Sequence, residues 1–348
     1  MPGPRKSRKS TLKAAPGGVN IDTVAEAAGV SAATVSRILN ATAAVSAAKK
    51  QAVADAIARL GFVPNPVARG LARGRTLSIG VVTQSIDSPF YGDALRGIED
   101  ELASSDYSPL FVSGHWDAQT EGRCIETLRA RRVDGLIVFT GRSSDAALRT
   151  CAKALPVVVV GRSLKAPGLF ALNFDNFEGG RLATEHLIGL GHRRIAFIGG
   201  DPGHPDAAER QRGYAAALQA AGIACEPGLV VAGRYHEESG LQAVEQLLRS
   251  RQRFSAVFAA NDQMAVGAAL GLHRLGLAVP ADVSLIGFDD LVSSAFSIPP
   301  LTTVHYPGLK LGRLAALSML QLLRGARPAA AIPAPRIVVR ESTRLLAA

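Results

Sequence analysis

From Thr76 onward, short apolar runs alternate with amphipathic stretches, and nothing else in the 348-residue chain limits its fold so narrowly. "LSIGVVT", "SPLFVSG", "VDGLIVFT" and "LPVVVVG" have the length and β-branched content of strands buried on both faces. Helical stretches such as "SPFYGDALRGIEDELASS" lie between them. A second series follows, "GLFALNFDN", "RRIAFIGG", "GLVVAG", "SAVFAAND" and "VSLIGFDD", with helices expected over 177–190, 206–222, 237–250 and 262–275. Strands that alternate with helices pair in parallel, because a parallel neighbour needs a long crossover and a helix supplies it. The pattern predicts parallel sheets wound on both faces, in two units joined near "LPVVVVGRS" and "GLFALNFDN".

The first 75 residues have another texture. Asn20 is placed to cap a helix over 21–28 that aligns Ile21, Val24, Ala25 and Ala28 on one face. Gly29 permits a sharp turn, and Ser31 caps a second helix through Leu39. Ser46 opens a third helix, which Gly61 stops. Val35, Ile38 and Leu39 form the inward stripe of the second helix, leaving Ser31, Ala32, Ala33, Thr34, Ser36 and Arg37 on its outer side. That arrangement is a helix-turn-helix signature, in which the start of the second helix reaches base edges in the major groove. Hydroxyls suit phosphates, an arginine can fork onto guanine, and alanine methyls can meet thymine methyls.

Charge points the same way. Residues 1–75 hold twelve Lys and Arg against three acids, a net +9, while the rest of the chain carries +1. A neutral body with a basic head is the footprint of a polyanion binder. Residues 1–18 read as a disordered basic tail with no apolar segment that would make it a secretory signal. In "FVPNPVARGLARGRT", Pro64 and Pro66 forbid continuation of the third helix, and Asn65 can cap a segment from Pro66 to Ala72. Two turns are too few to stand alone in water, so this segment should form only when something holds it. Three widely spaced cysteines suit a reducing cytoplasm better than a disulfide framework. No apolar run reaches the roughly 18 residues of a membrane span.

The blocks "VAEAAGVSAATVSRILN", "VSAAKKQAVADAIARLGFVPNPVARGLARGRTLSIGVV", "DNFEGGRLATEHLIGLGHRRIAFIGG", "AVFAANDQMAVGAALGLHRLGLAVPADVSLIGFDD" and "IPPLTTV" together resemble the lac repressor/galactose repressor (LacI–GalR) family. The resemblance runs from about residue 19 to the end. It implies an all-α helix-turn-helix DNA-binding domain at 19–65 and a hinge helix and linker at 66–75. An α/β effector domain similar to periplasmic binding proteins would follow at 76–348. Its N-subdomain would take about 76–162 and 305–328, its C-subdomain about 163–304 and 329–348.

By match to the family, Ala32, Ala33 and Arg37 are base-reading positions. Leu71 is the leucine wedged into the central base step with Ala68 beside it, and Asn40, Asn65, Arg69 and Ala72 complete the DNA surface. An apolar wedge of this kind kinks the duplex and widens the contact. The effector cleft is expected to use Asp175, Arg212, Asn261 and Asp289, since a carboxylate, a guanidinium fork and an amide satisfy vicinal hydroxyls. Phe90 and Tyr91 could stack on a ring. Two departures from the family pattern stand out: His115 with the only tryptophan, Trp116, and His305 with Tyr306 after "LTTV". Trp116 and Tyr306 are either ligand platforms or packing residues.

The resemblance implies a ligand-responsive, sequence-specific transcriptional regulator, expected to repress carbohydrate-utilisation genes with an activator as the alternative, that binds near-palindromic double-stranded operator DNA as a homodimer with effector-controlled ordering of its hinge helix. A sugar is the first expectation, with sugar acids, phosphorylated sugars and nucleobases as alternatives. An enzyme is the first rival reading. "GLGHRRIAFIGG" lacks the third glycine of a dinucleotide fingerprint, and its strand follows the glycines instead of preceding them. There is no P-loop, no G-x-S-x-G and no Cys/His metal spacing, so neither a metal nor a cofactor is expected. A transported-solute binder would not need the basic head, and an architectural DNA binder would not need the large α/β body.

Overall fold

The computed structural model describes residues 19–40, 44–63, 74–139 and 141–346. The expected 1–18 tail and 66–72 hinge helix, with Asn65, Ala68, Arg69, Leu71 and Ala72, lie outside the described residues. The chain divides into two units, 1–76 and 77–348.

The described residues of the first unit form three helices: α1 (Ile21–Ala28), α2 (Ala32–Asn40) and α3 (Ala47–Leu60). Asn20 caps α1, its Oδ1 accepting the N–H groups of Asp22 and Thr23, each at 3.0 Å. Gly29 makes the turn in the left-handed region at φ +64°, where a side chain would be strained. Ser31 Oγ accepts the Thr34 N–H at 3.2 Å. Val24, Val35 and Val53 are fully buried with Ala25 and Ala56 around them, while Ile38 and Leu39 flank this core half-buried. Each buried valine contributes about 1.5 kcal/mol or more, so a few side chains hold the whole unit together.

The second unit contains two sheets. The first has the order β2-β1-β3-β4-β5, from β1 (Ser78–Thr83), β2 (Ser108–Ser113), β3 (Gly135–Phe139), β4 (Val157–Val160) and β5 (Leu169–Leu172), all parallel. Around it lie α4 (Pro89–Leu102), α5 (Ala118–Ala130) and α6 (Asp145–Ala152). The second sheet has the order β11-β10-β9-β8-β6-β7. It comprises β6 (Ile195–Gly199), β7 (Val230–Ala232), β8 (Ala256–Ala259), β9 (Ser284–Asp289), β10 (Thr302–His305) and β11 (Arg336–Val338). Only β11 runs antiparallel to its neighbour. Its helices are α7 (Asn176–Gly189), α8 (Pro205–Ala220), α9 (Glu237–Arg249) and α10 (Asp262–Arg274). The run 169–172, expected to belong to the second subdomain, instead joins the first sheet beside β4.

α11 (Gly308–Leu323) follows β10 of the second sheet yet packs on α4, β3 and β4 of the first. Its close approach to α4 depends on glycine: a Cβ on Gly312 would strike the Ala94 carbonyl, and one on Gly97 the Leu309 carbonyl. The chain therefore passes between the two lobes three times, at 173–175, 306–307 and 324–335. No described helix is long and apolar enough to cross a membrane.

Candidate functional site

A cleft of about 330 Å³ opens between the two lobes of the second unit. Its walls come from the carboxyl ends of the parallel strands, where helices start and loops are free to vary. The first lobe contributes Ser85 and Asp87 after β1, Phe90 and Tyr91 at the start of α4, and Trp116 after β2. His204, Asp206 and Arg210 follow β6, Tyr235 follows β7, Asn261 follows β8, and Asp289 ends β9. Tyr306 sits on the crossover after β10.

Aromatic rings form one continuous row in this space, joined where Phe90 meets Tyr91 at 5.4 Å. Tyr306 stacks on Phe174 at 4.0 Å and meets Phe90 at 4.7 Å. Trp116 lies 4.1 Å from the His204 ring and 6.2 Å from Tyr91. The Trp116 N–H donates to Gln84 Oε1 at 3.1 Å, and Gln84 Nε2 donates to the Phe139 carbonyl, which fixes the tryptophan loop to the first sheet. Trp116 thus faces the cleft instead of packing elsewhere. His305 turns to Asp290, its Nδ1 2.8 Å from Oδ2, and only its neighbour Tyr306 lines the cleft.

Arg210 is the charged centre. It is buried, and its guanidinium lies 3.7 Å from the centre of the Phe288 ring. Nε donates to Asn176 Oδ1 at 2.9 Å, Nη1 donates to the Ala260 carbonyl, and Asp289 Oδ1 stands 3.8 Å from Nη1. Asn261 caps α10 through Oδ1, which accepts the Met264 N–H at 2.9 Å, and its Nδ2 donates to the Tyr235 carbonyl at 3.0 Å.

Burial sets the protonation of these groups. It pushes Asp289 well above the ordinary carboxylate range, against the pull of Arg210. Burial lowers His204 to about 3, helped by the Arg210 charge, so the ring is neutral. Its Nδ1 accepts the Asp206 N–H at 3.2 Å and its proton therefore sits on Nε2. Asp206 is raised to about 6 by burial, with Arg210 opposing, and is ionised at neutral pH. Backbone strain gathers here too: His115, Trp116, Tyr235, Asp289 and Asp290 all have positive φ. Such conformations cost about 1–3 kcal/mol each and persist where the surrounding structure holds them in place.

Of the residues expected from sequence, Phe90, Tyr91, Trp116, Asn261, Asp289 and Tyr306 line the cleft. Asp175 and Arg212 do not. Asp175 is exposed and caps α7, accepting the Glu178 N–H at 2.9 Å. Arg212 pairs with Glu209 at 2.6 Å and lies over Phe177. Helix phase explains the correction: Arg212 is about 200° around α8 from Arg210, while Asp206 and Arg210, one turn apart, share the cleft face. The buried stripe Ala207, Arg210, Tyr214 and Ala217 carried that signal in the sequence. Asn176, which orients Arg210, gave none.

On the first unit, Arg37 and Ala33 are exposed on α2, with Ala32, Thr34 and Ser36 half-buried beside them. Ser31 and Thr34 share a hydroxyl hydrogen bond of 2.9 Å, and Asn40 Nδ2 donates to Ser36 Oγ at 3.3 Å. Arg59 of α3, not singled out in the sequence, donates to the Ala27 carbonyl at 3.2 Å and ties α3 to α1.

Comparison with known proteins matches a family described as bacterial regulatory proteins, lacI family, over residues 20–65, and a periplasmic binding protein-like domain over 184–343. The ribose operon repressor of Escherichia coli (strain K12) is 38% identical over 295 residues, covering 84% of this chain and 89% of its own. The HTH-type transcriptional repressor PurR of Haemophilus influenzae (strain ATCC 51907 / DSM 11121 / KW20 / Rd) is 34% identical over 333 residues, with coverages of 93% and 98%. Among solved structures, a lac repressor dimer bound to operator and the anti-inducer ONPF is similar with TM-score 0.84 and 30% identity, covering 94% of this chain and all of that one. The transcriptional regulator CelR–cellobiose complex is similar with TM-score 0.70 and 32% identity, with coverages of 93% and 99%.

Proposed function

Because the chain belongs to the LacI family of bacterial regulatory proteins, we propose that it represses carbohydrate-utilisation genes as a homodimer on a near-palindromic operator, under the control of a small molecule held in the cleft. The observation that carries this reading is the cleft itself. Arg210 and Asp289 meet at strand ends before a wall of aromatic rings, which is how a polyhydroxylated ring is gripped, and a basic helical unit precedes them in the same chain. The ligand is bound and released without chemical change, and the protein acts in the cytoplasm, where bacterial DNA lies.

Arg37 is assigned to reading a guanine, and Ala32 and Ala33 to thymine methyls. The second copy is assigned to the exposed apolar side chains Val292, Phe296 and Ile298, on the segment that Asp262 pins to α10 through the Leu291 N–H and the Ser294 hydroxyl. Apolar side chains this exposed in one short stretch are what an isologous contact would cover. Effector binding closes the lobes on each other, and a coupling of about 1–3 kcal/mol would change operator affinity about 5–150-fold. A nucleobase is the second reading, favoured by the flat Tyr306–Phe174 stack.

Selection of bound sequences from a random DNA pool tests the proposal, at fixed salt because phosphate contacts make affinity salt-dependent. It is repeated with a panel of sugars and free purine bases. A palindromic consensus whose enrichment responds to one of these compounds is expected. Enrichment of duplex DNA without a consensus would refute the regulator reading.

A further inference from the structure

We infer that Asp206 fixes the charge class of the effector, admitting a neutral or cationic polyhydroxylated ring and rejecting sugar acids and phosphorylated sugars. The inference rests on reading the cleft as a small-molecule site. Several polar groups in the cleft already have partners, while the Tyr235 hydroxyl has none. Arg210 spends Nε on Asn176 and Nη1 on the Ala260 carbonyl, with Asp289 alongside. Asn261 uses its amide at both ends, and His204 uses Nδ1 on a backbone N–H. Among the described residues, nothing donates a hydrogen bond to the Asp206 carboxylate and no cation pairs with it, although it lines the cleft. A half-buried carboxylate without a protein partner keeps its acceptor sites open for a ligand donor.

The charges add up to a preference. Arg210 and Arg162 bear on Asp206 from beyond ion-pair distance, and its carboxylate keeps its acceptor sites turned to the cleft. Asp206 stands at the second position of the 16-residue α8, where the helix terminus favours its ionised form. A carboxylate accepts from a hydroxyl and more strongly from an ammonium. A ligand anion about 5 Å away would lose about a hundredfold in affinity at an effective dielectric of about 20, and at least about tenfold after screening.

Trp116, the only tryptophan in the chain, touches His204 and so reports directly on this corner. The test titrates the full chain and Asp206→Asn at about pH 7.5, following tryptophan fluorescence and, in parallel, calorimetry. The probes are glucose, galactose and ribose, each with its aldonate and terminal phosphate, together with glucosamine and galactosamine. In the series that binds, the neutral or amino member should be tightest, and its anionic counterparts at least about tenfold weaker. Asp206→Asn should close that gap by tightening the anions. An anion that binds the natural chain as well as its neutral parent, or a gap that survives Asp206→Asn, overturns the inference and leaves the cleft reading standing. Silence from every probe with both proteins overturns the sugar-site reading and takes the inference with it.

Discussion

Replacing Asp206 with asparagine should make the protein more stable, and only above the pH at which the carboxyl ionises. A free aspartate titrates near 3.8, whereas burial raises Asp206 to about 6 in the folded chain. A raised pKa means that the native state holds the proton more tightly than the unfolded chain does. Its contribution is therefore fully present below about pH 4, and it is lost as pH rises through about 6. The full shift corresponds to about 3 kcal/mol, and the partial exposure of the side chain reduces this to about 1.5 kcal/mol. An asparagine at this position cannot ionise, so the variant escapes that loss. Urea unfolding followed by circular dichroism should put the variant's midpoint about 0.5 M higher near pH 7.5 and level with the natural chain near pH 4. Asp262, also raised by burial, titrates in both proteins and cancels in the comparison, whereas Asp289, which the Asp206 charge raises further, is relieved of that repulsion in the variant and adds to the gain near neutral pH. A variant no more stable near neutral pH would refute the reasoning. So would a gain of the same size at both pH values, which would assign it to packing instead of charge. A carboxylate retained at such a cost is explained by function rather than by folding.

Other expectations follow from the same geometry. Arg210→Lys should weaken effector binding at least about tenfold, because an ammonium cannot replace a fork divided among Asn176, Ala260 and Asp289, whereas Arg212→Ala should bind normally; equal effects in calorimetry would contradict the helix phase. Arg37→Ala should lose discrimination at one guanine position by about 1–3 kcal/mol in a competition series of operator variants. Leu71→Ala, from the sequence match to the family's wedge leucine, should weaken specific binding far more than non-specific binding in gel-shift titrations.

Sequence alone located what periodicity controls. The helices at 21–28 and 32–40 follow from a capping asparagine, a turn glycine and three valines spaced to meet, and the strand runs from β1 to β9 are legible as continuous apolar stretches. What the sequence concealed depended on register and on long-range contact. The 169–172 strand reads as the opening of a second series because its partner, β4, is known only once the sheet is assembled. Arg210 and Arg212 are chemically identical and two residues apart, and only the apolar stripe around Arg210 says which one faces inward. Asn176 holds that arginine from another helix, a relation no local pattern expresses. The aromatic departures at Trp116 and Tyr306 were visible as oddities, but the strained backbone that turns Trp116 toward His204 was not.

The threefold passage of the chain between lobes also bears on how the molecule is made. The first lobe cannot finish when its five strands have left the ribosome, because α11, which buries Leu311, Ala315, Ala316 and Met319 against it, is synthesised only after β10 of the second lobe. The second lobe waits in turn for β11. Until residue 323 emerges, part of one face of the first sheet, over β3 and β4, stays without its cover, exposed to chaperones and to other nascent chains. Both lobes are then sealed within the last few dozen residues, so a chain truncated near residue 300 would leave two incomplete lobes in place of one good one.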